Sequence, residues 1–296
     1  MNLKIDSEYF ARADEEGREK MRLHLLGKHP SLRGSVIARS ILSRPIEAYF
    51  VGEGRQYILL TAAHRAGDCL TTNFAFAFVD YLLSKSVTDA INGVDCKLLL
   101  SNYCFLVIPC VNPDGLELRM NGISETPLKE RLLRMSDGDF SLWEANGRGV
   151  DLGRNYEAGY SEYKVAGEKV GISAGAELYC GEYPESEPET RGVANLVRTL
   201  APTAVVSLKM SGKGILAYPR SARSQRCAGR IAAAMGREAG VDTAEEGHGS
   251  LTYYAASLGI PSFDISFFDS ASDRDKDFGR IFFRIADAVA TLPTFI

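Results

Sequence analysis

His64 closes the apolar run Tyr57-Ile58-Leu59-Leu60-Thr61-Ala62-Ala63, and Asp68 follows a short Arg65-Ala66-Gly67 step later. An imidazole nitrogen and a carboxylate oxygen are both metal donors, and either group can move a proton. Further along, Gly149-Val150-Asp151-Leu152-Gly153-Arg154-Asn155 offers a guanidinium fork beside an amide, a combination suited to holding a carboxylate. Ser207-Leu208-Lys209 brings an ammonium, and Ile260-Pro261-Ser262-Phe263-Asp264-Ile265 brings an acid able to serve as a general base. His248 adds an imidazole on a glycine-flanked loop. Each residue also has a plainer reading. His64 fits a hydrogen-bonded pocket histidine, Asp68 a helix N-cap, and Lys209 a solvated strand-end lysine. Arg154 fits a salt bridge to Asp151, and His248 an exposed loop residue.

The elements that must position these groups can be read from hydrophobic spacing. Ser35 to Val51 alternates as strands do, with Ser43-Arg44-Pro45 as a break, and Tyr57 to Ala63 reads as a buried strand. Thr71 to Ser84 has apolar residues at helical spacing, and Leu98 to Val111 reads as another strand, stopped by the turn Asn112-Pro113-Asp114-Gly115. Asp114 to Tyr160 looks irregular, with a helix near Leu128 to Met135. Ser186-Glu187-Pro188-Glu189-Thr190 starts a helix, with Ser186 as cap, proline in the first turn and acids at the positive end of the dipole. Strands at Ala204 to Leu208, Gly214 to Tyr218 and Ser262 to Phe267 alternate with helices at Ala222 to Ala239, Thr252 to Leu258 and Asp275 to Leu292. That order predicts an α/β domain whose mostly parallel sheet is covered on both faces. Ligands of such sheets sit beyond the carboxyl ends of the strands, where His64, Asn112, Lys209 and Asp264 all fall.

Composition sets outer bounds. The 296 residues include 45% hydrophobic and 24% charged side chains, with a net charge of −4 and no linker or repeat, so one domain is expected over 1–296, with a helical prefix over 1–34. The acidic balance argues against a nucleic-acid partner. No apolar run approaches the roughly 20 residues that span a bilayer, so no membrane partner is expected. The six cysteines form no C-x-x-C pair and read as buried thiols of a reducing compartment. With no leader visible before Tyr9, the expected location is cytoplasmic.

The order of the motifs says more than any one of them. Ser40-Ile41-Leu42-Ser43-Arg44-Pro45-Ile46, strand-His64, Val111 to Gly115, Gly149 to Asn155, Ser186 to Thr190, Ser207 to Lys209 and Ile260 to Ile265 together resemble the zinc carboxypeptidase family, of carboxypeptidase A-like fold. The likeness spans Ser35 to Leu292 and leans to the bacterial branch that cleaves γ-D-glutamyl-diaminopimelate bonds in cell-wall peptides. It implies a mixed sheet of about eight strands between helices. It also implies a zinc held by H-x-x-E and a second His, a Glu general base, an Asn-Arg pair for the substrate carboxylate and an Arg for the oxyanion.

Carried over residue by residue, His64 takes the first ligand position. The acid of H-x-x-E reads Gly67 or, with one residue inserted, Asp68. The second His reads Lys209, and the general base reads Asp264. The Asn-Arg pair reads Gly153-Arg154, followed by Asn155, and the oxyanion Arg after Trp143 reads Glu144. A protonated lysine has three donors and no lone pair for a metal. The expectation is therefore a family homologue that holds zinc weakly or not at all. It would bind a peptide or amino-acid carboxylate through Arg154 and Asn155, or act as a scaffold, with Lys209 paired to Asp264 or Asp68. The alternative is an active metallopeptidase on γ-D-glutamyl-diaminopimelate peptides, with His64, Asp68 and His248 as ligands and Asp264 as base. Oligomeric state stays open.

Overall fold

The computed structural model describes residues 5–85, 90–175, 177–211, 215–218, 222–235, 239–240, 247–268 and 278–296. After a 3-10 turn at Ser7–Phe10 come α1 (Glu15–Lys28), β1 (Arg33–Arg39), β2 (Pro45–Val51), β3 (Gln56–Thr61) and α2 (Cys69–Lys85). A small hairpin, β4 (Ala90–Ile91) and β5 (Val94–Asp95), leads to α3 (Cys96–Asn102), β6 (Tyr103–Ile108), α4 (Pro113–Asn121), α5 (Lys129–Ser136) and α6 (Tyr160–Lys169). The second half holds α7 (Pro188–Leu200), β7 (Ala204–Ser211), β8 (Ile215–Tyr218), α8 (Ala222–Met235), β9 (Ala239–Gly240), α9 (Leu251–Ser257), β10 (Ser262–Phe268) and α10 (Phe278–Thr291).

Eight strands form one sheet in the order β1-β2-β6-β3-β7-β10-β8-β9. Its centre, β6-β3-β7-β10, is parallel, while β1, β2 and β8 join antiparallel. The sheet is thus mixed, as the family resemblance implies, and less parallel than the strand–helix alternation predicts. Side chains of β3 alternate between two cores: Ile58 and Leu60 face one, Leu59 the other. Both faces are covered, which is why β3 reads as a continuous apolar run. No helix among the described residues is long and apolar enough to cross a membrane.

Several local elements differ from the sequence reading. Leu98 to Asn102 is helix rather than strand: Asp95 caps α3 by accepting from Leu98 N at 3.0 Å, and Cys96, Leu99 and Leu100 turn inward at helical spacing. Asn112-Pro113 opens α4 instead of making a turn, since Asn112 Oδ1 accepts from Gly115 N at 2.9 Å and proline sits in the first turn. Ser186 does not cap α7; its hydroxyl donates to Glu187 Oε1 at 2.8 Å. Among the described residues of the 1–34 prefix, helix covers Ser7–Phe10 and Glu15–Lys28, and α1 buries Met21 and Leu25 in the core. The expected starts at Gly214 and Asp275 lie outside the described residues.

Phe74 of α2 ties the larger core together, its ring centroid 5.0 Å from Phe282, 5.2 Å from Phe267 and 5.7 Å from Phe78. Beneath the other face, three fully buried acids pin loops to α4 and α7. Asp114 accepts from Ser40 Oγ (2.7 Å), Leu42 N (2.8 Å) and Arg44 Nη1 (3.0 Å). Glu187 accepts from Asn146 Nδ2 at 2.8 Å, and Glu189 Oε1 from Ile41 N at 3.2 Å. Glu189 Oε2 is buried with no partner. Burial, reinforced by the neighbouring Asp114 and Glu187 charges, pushes the Glu189 carboxyl up to about 8.

Two outcomes follow from this packing. Phe74→Ala should cost about 3–5 kcal/mol in urea denaturation, because three aromatic contacts are lost around a cavity that rigid strands cannot close. Glu189 keeps its proton in the folded chain well above the pH at which the unfolded chain releases it. Folding stability should therefore fall as pH rises from its ordinary value of 4.5 to about 8 and then level off, by up to about 1.4 kcal/mol per pH unit. Glu189→Gln should flatten that stretch of the stability–pH profile.

Candidate functional site

β3, β7 and β10 run in the same direction, so their carboxyl ends share one edge of the sheet. Beyond β3 the chain keeps pairing: Ala62 N donates to Ile108 O (3.0 Å) and Asn112 N to Ala63 O (2.9 Å). Ala63 is held at φ 50°, an uncommon conformation for a residue with a Cβ, and its N–H is taken by Thr71 Oγ1 at 2.9 Å. Asn112 Nδ2 donates to His64 O at 3.1 Å, fixing the histidine backbone. His64 is buried, with Nε2 3.0 Å from the Tyr156 hydroxyl and Nδ1 lacking any hydrogen-bond partner. Burial first, then the Lys209 charge, lowers its pKa to about 3, so the imidazole is neutral.

Lys209 projects from β7 and donates Nζ to Asp264 Oδ2 at 2.6 Å. Asp264 Oδ1 accepts from Thr252 Oγ1 at 3.1 Å, so both carboxylate oxygens are engaged. The side chain of Asp264 is only 3% exposed and that of Lys209 39%. In the strand register Lys209 lies opposite Ser266, and Asp264 lies opposite Ser207. Ser266, two residues further along the same face of β10, is therefore the group standing beside Lys209, and the general-base position read as Asp264 holds a carboxylate already committed to the lysine.

Asp68 does not use its carboxylate as a helix cap. Its Oδ1 reaches across to β7 and accepts from Met210 N at 2.8 Å, and burial raises its pKa to about 6. The position three after His64 is Gly67, and Glu144 explains why. Glu144 Oε2 accepts from Gly67 N at 2.8 Å and Oε1 from Arg119 Nη1 at 2.7 Å. A Cβ on residue 67 would lie 2.4 Å from Glu144 Oε1, so the carboxylate fills that side chain's space.

Arg154 N donates to Asp151 O at 2.9 Å, and the Asp151 carboxylate pairs with Arg65 at 2.7 Å. The Arg154 guanidinium donates Nη1 to His248 O at 3.0 Å and sits 4.9 Å from the Tyr163 ring centroid, leaving it half-buried beside an aromatic face. Asn155 is fully buried and braces a loop. Its Nδ2 donates to Cys180 O (2.8 Å) and Ser186 Oγ (2.9 Å), and its Oδ1 accepts from Glu187 N (3.2 Å). Both ends of its amide are thus engaged within the chain. His248 packs its ring against Tyr253, with centroids 5.2 Å apart.

The structure thus joins Lys209 to Asp264, Asp68 to the backbone of β7 and His64 to Tyr156. Among the described residues no three His, Cys, Asp or Glu side chains gather as a metal cluster. A catalytic zinc needs three such donors with an open fourth position. The described donors do not fit that set: His64 Nδ1 has no hydrogen-bond partner, but an ammonium stands at the second-His position and Asp68 already serves Met210. Glu144 and Ser266 had readable signals, the residue after Trp143 and the period of two along β10. Tyr156, Thr252 and Tyr163 carried none, since only the fold brings them near.

The chain resembles known proteins along most of its length. The zinc carboxypeptidase family model matches residues 20–276. The gamma-D-glutamyl-L-diamino acid endopeptidase 1 of Lysinibacillus sphaericus is 30% identical over 191 residues, which cover 63% of this chain and 48% of that protein. The chain spans about half the length of the bacterial curated relatives it matches. Among solved structures, bovine thrombin-activatable fibrinolysis inhibitor, in complex with tick carboxypeptidase inhibitor, superposes with a TM-score of 0.72 at 19% identity, covering 97% of this chain and 99% of the other. The murein-tripeptide amidase MpaA of Escherichia coli O157 gives 0.55 at 20% identity, covering 87% and 91%. These structural likenesses establish the carboxypeptidase A-like fold, and with the family match over residues 20–276 this chain belongs to the zinc carboxypeptidase family.

Proposed function

We propose that this chain binds peptides with a free carboxylate, of the γ-D-glutamyl-diaminopimelate cell-wall type, without hydrolysing them, and that Lys209 supplies at the strand ends the positive charge that zinc supplies elsewhere in the family. The observation that carries this reading is the 2.6 Å contact between Lys209 Nζ and Asp264 Oδ2. A cation fixed to the fold meets the same local need for positive charge as a metal, but it has no empty orbital and cannot bind water as a Lewis acid. Arg154, set against Tyr163 and half-buried, is the group to receive the peptide carboxylate. The substrate class rests on the likeness to the Lysinibacillus endopeptidase.

A second reading, hydrolysis of the same peptides through an altered donor set of His64, Asp68 and His248, is favoured by the family match itself. It requires Lys209 to release Asp264 and the three donors to converge. Metal analysis after zinc loading and dialysis separates the two. The binding reading expects no retained zinc and no cleavage of a γ-D-glutamyl-diaminopimelate peptide. Near-stoichiometric zinc that disappears in His64→Ala, with turnover, would establish hydrolysis instead.

Two further outcomes are expected. Lys209→Met should destabilise the fold by about 2–4 kcal/mol in urea denaturation, because it strands a buried carboxylate, while Lys209→Met with Asp264→Leu should recover most of that loss. In calorimetry with the same peptide, Arg154→Leu should weaken binding at least about tenfold, the worth of one charge-assisted hydrogen bond. Amidation of the peptide carboxylate should weaken binding to the unaltered protein by a similar factor.

A further inference from the structure

A second concavity, of about 700 Å³, opens between α1, β2 and α4. It shares no residue with the His64–Lys209 site, and its volume suits a small molecule. Its charges are mixed, and most are already spent. Arg22 and Glu19 form a two-pronged pair at 2.7 Å. Arg44 bridges Glu15 and Asp114. Arg12 donates to Asn121 Oδ1 (3.0 Å) and lies 3.4 Å from Asp14. Glu117 accepts from Glu15 N and Asn121 Nδ2.

Three charges remain. Arg18 is half-buried, gives Nη1 to Ala13 O at 2.6 Å and meets no carboxylate among the described residues. Glu47 accepts only the Tyr49 hydroxyl, at 2.8 Å, and Glu16 has no ion pair among the described residues. The same cleft is lined by the rings of Tyr49 and Phe76, 6.0 Å apart, with Pro45 and Pro109. One cation and two acids without an ion pair among the described residues, Glu47 having the Arg22 charge nearby, and a short apolar stretch complement a ligand with one carboxylate, two ammonium groups and a methylene stem.

We propose that this cleft is a binding site for a basic amino acid of the lysine class. The carboxylate bonds to Arg18, the two ammonium groups face Glu47 and Glu16, and the stem lies over Tyr49 and Phe76. The site is independent of the peptide-binding reading.

Calorimetry of the full chain with L-lysine tests it. One saturable site is expected. Norleucine, which lacks the second ammonium, and cadaverine, which lacks the carboxylate, should each bind at least about tenfold more weakly, one charge-assisted contact being worth that much. Arg18→Gln and Glu47→Gln should each weaken L-lysine binding by a similar factor, and Arg154→Leu should leave it intact. Glu47→Gln removes no backbone bond, so it decides the matter even where Arg18→Gln, which loosens Ala13, fails to fold. Absence of binding at millimolar L-lysine, equal binding of norleucine, or full binding by Glu47→Gln would overturn the site. Binding lost only in Arg154→Leu would place lysine at the other site and overturn it equally.

Discussion

Parallel pairing of β3 with β7, and of β7 with β10, is the constraint on which the site depends. Thr61, the last residue of β3, lies opposite Ser207, and Ser207 opposite Asp264, while β7 and β10 run on together to the Ser211–Phe268 pair along the same edge. Every group discussed is placed by that register. His64 follows β3 by a short strained step at Ala63, Lys209 faces the same side of β7 as Ser207, and Lys209 reaches diagonally to Asp264, the residue opposite Ser207. A slip of one residue in β10 would turn Asp264 into the opposite core and leave an ammonium facing Ile265. The phenylalanine cluster around Phe74 and the packed aliphatic residues on the other face hold the register, because side chains on each strand alternate between two filled cores.

Charge at that edge is balanced within the protein. Lys209 offsets Asp264, Arg65 offsets Asp151, and Arg119 offsets Glu144. An isolated buried carboxylate is costly, and each of these acids has either a cation or a backbone N–H as partner. Asp68 is the exception in degree. Its bond to Met210 N and the nearby Arg65 charge do not outweigh burial, and its pKa stays raised. The balance is local, each acid being matched by a cation or donor a few ångströms away, so altering any one of them leaves its partner exposed to the full desolvation cost.

Much of the architecture was legible because it follows from periodicity. β3, α2, α7, β7, α9 and β10 fall where the apolar spacing places them, and the ordered motifs point to the carboxypeptidase A-like fold. The failures have a common physical origin. Asn112-Pro113-Asp114-Gly115 carries turn residues that are equally good helix starters, and only the next apolar residues, Leu116 and Leu118, packed in place, select the helix. Leu98 to Asn102 is short and apolar, where helix and strand cannot be told apart by pattern. At the site, the Lys209–Asp264 pairing was readable from charge, because one substitution makes sense only with a carboxylate at hand. The partners of Asn155 were not: only the fold reveals that the 180–187 loop takes up its amide. Which residue of β10 stands beside Lys209 was not legible either, since sequence shows the face of a strand but not the register with β7 that sets Ser266 opposite Lys209.

The departures from the family pattern are physically coupled. Glu144 stands where the resemblance implies an oxyanion arginine, and its carboxylate occupies the space of any side chain at position 67. Position 67 is in turn where H-x-x-E would set its acid. A side chain there would oblige the Glu144 carboxylate to swing aside and give up its bond from Gly67 N. Restoring histidine at 209 would remove the cation that neutralises Asp264, and the buried acid would then need a metal or a proton in its place. The described groups at this edge form a set of paired charges around a neutral histidine, and changing one member alters the partner it is bonded to.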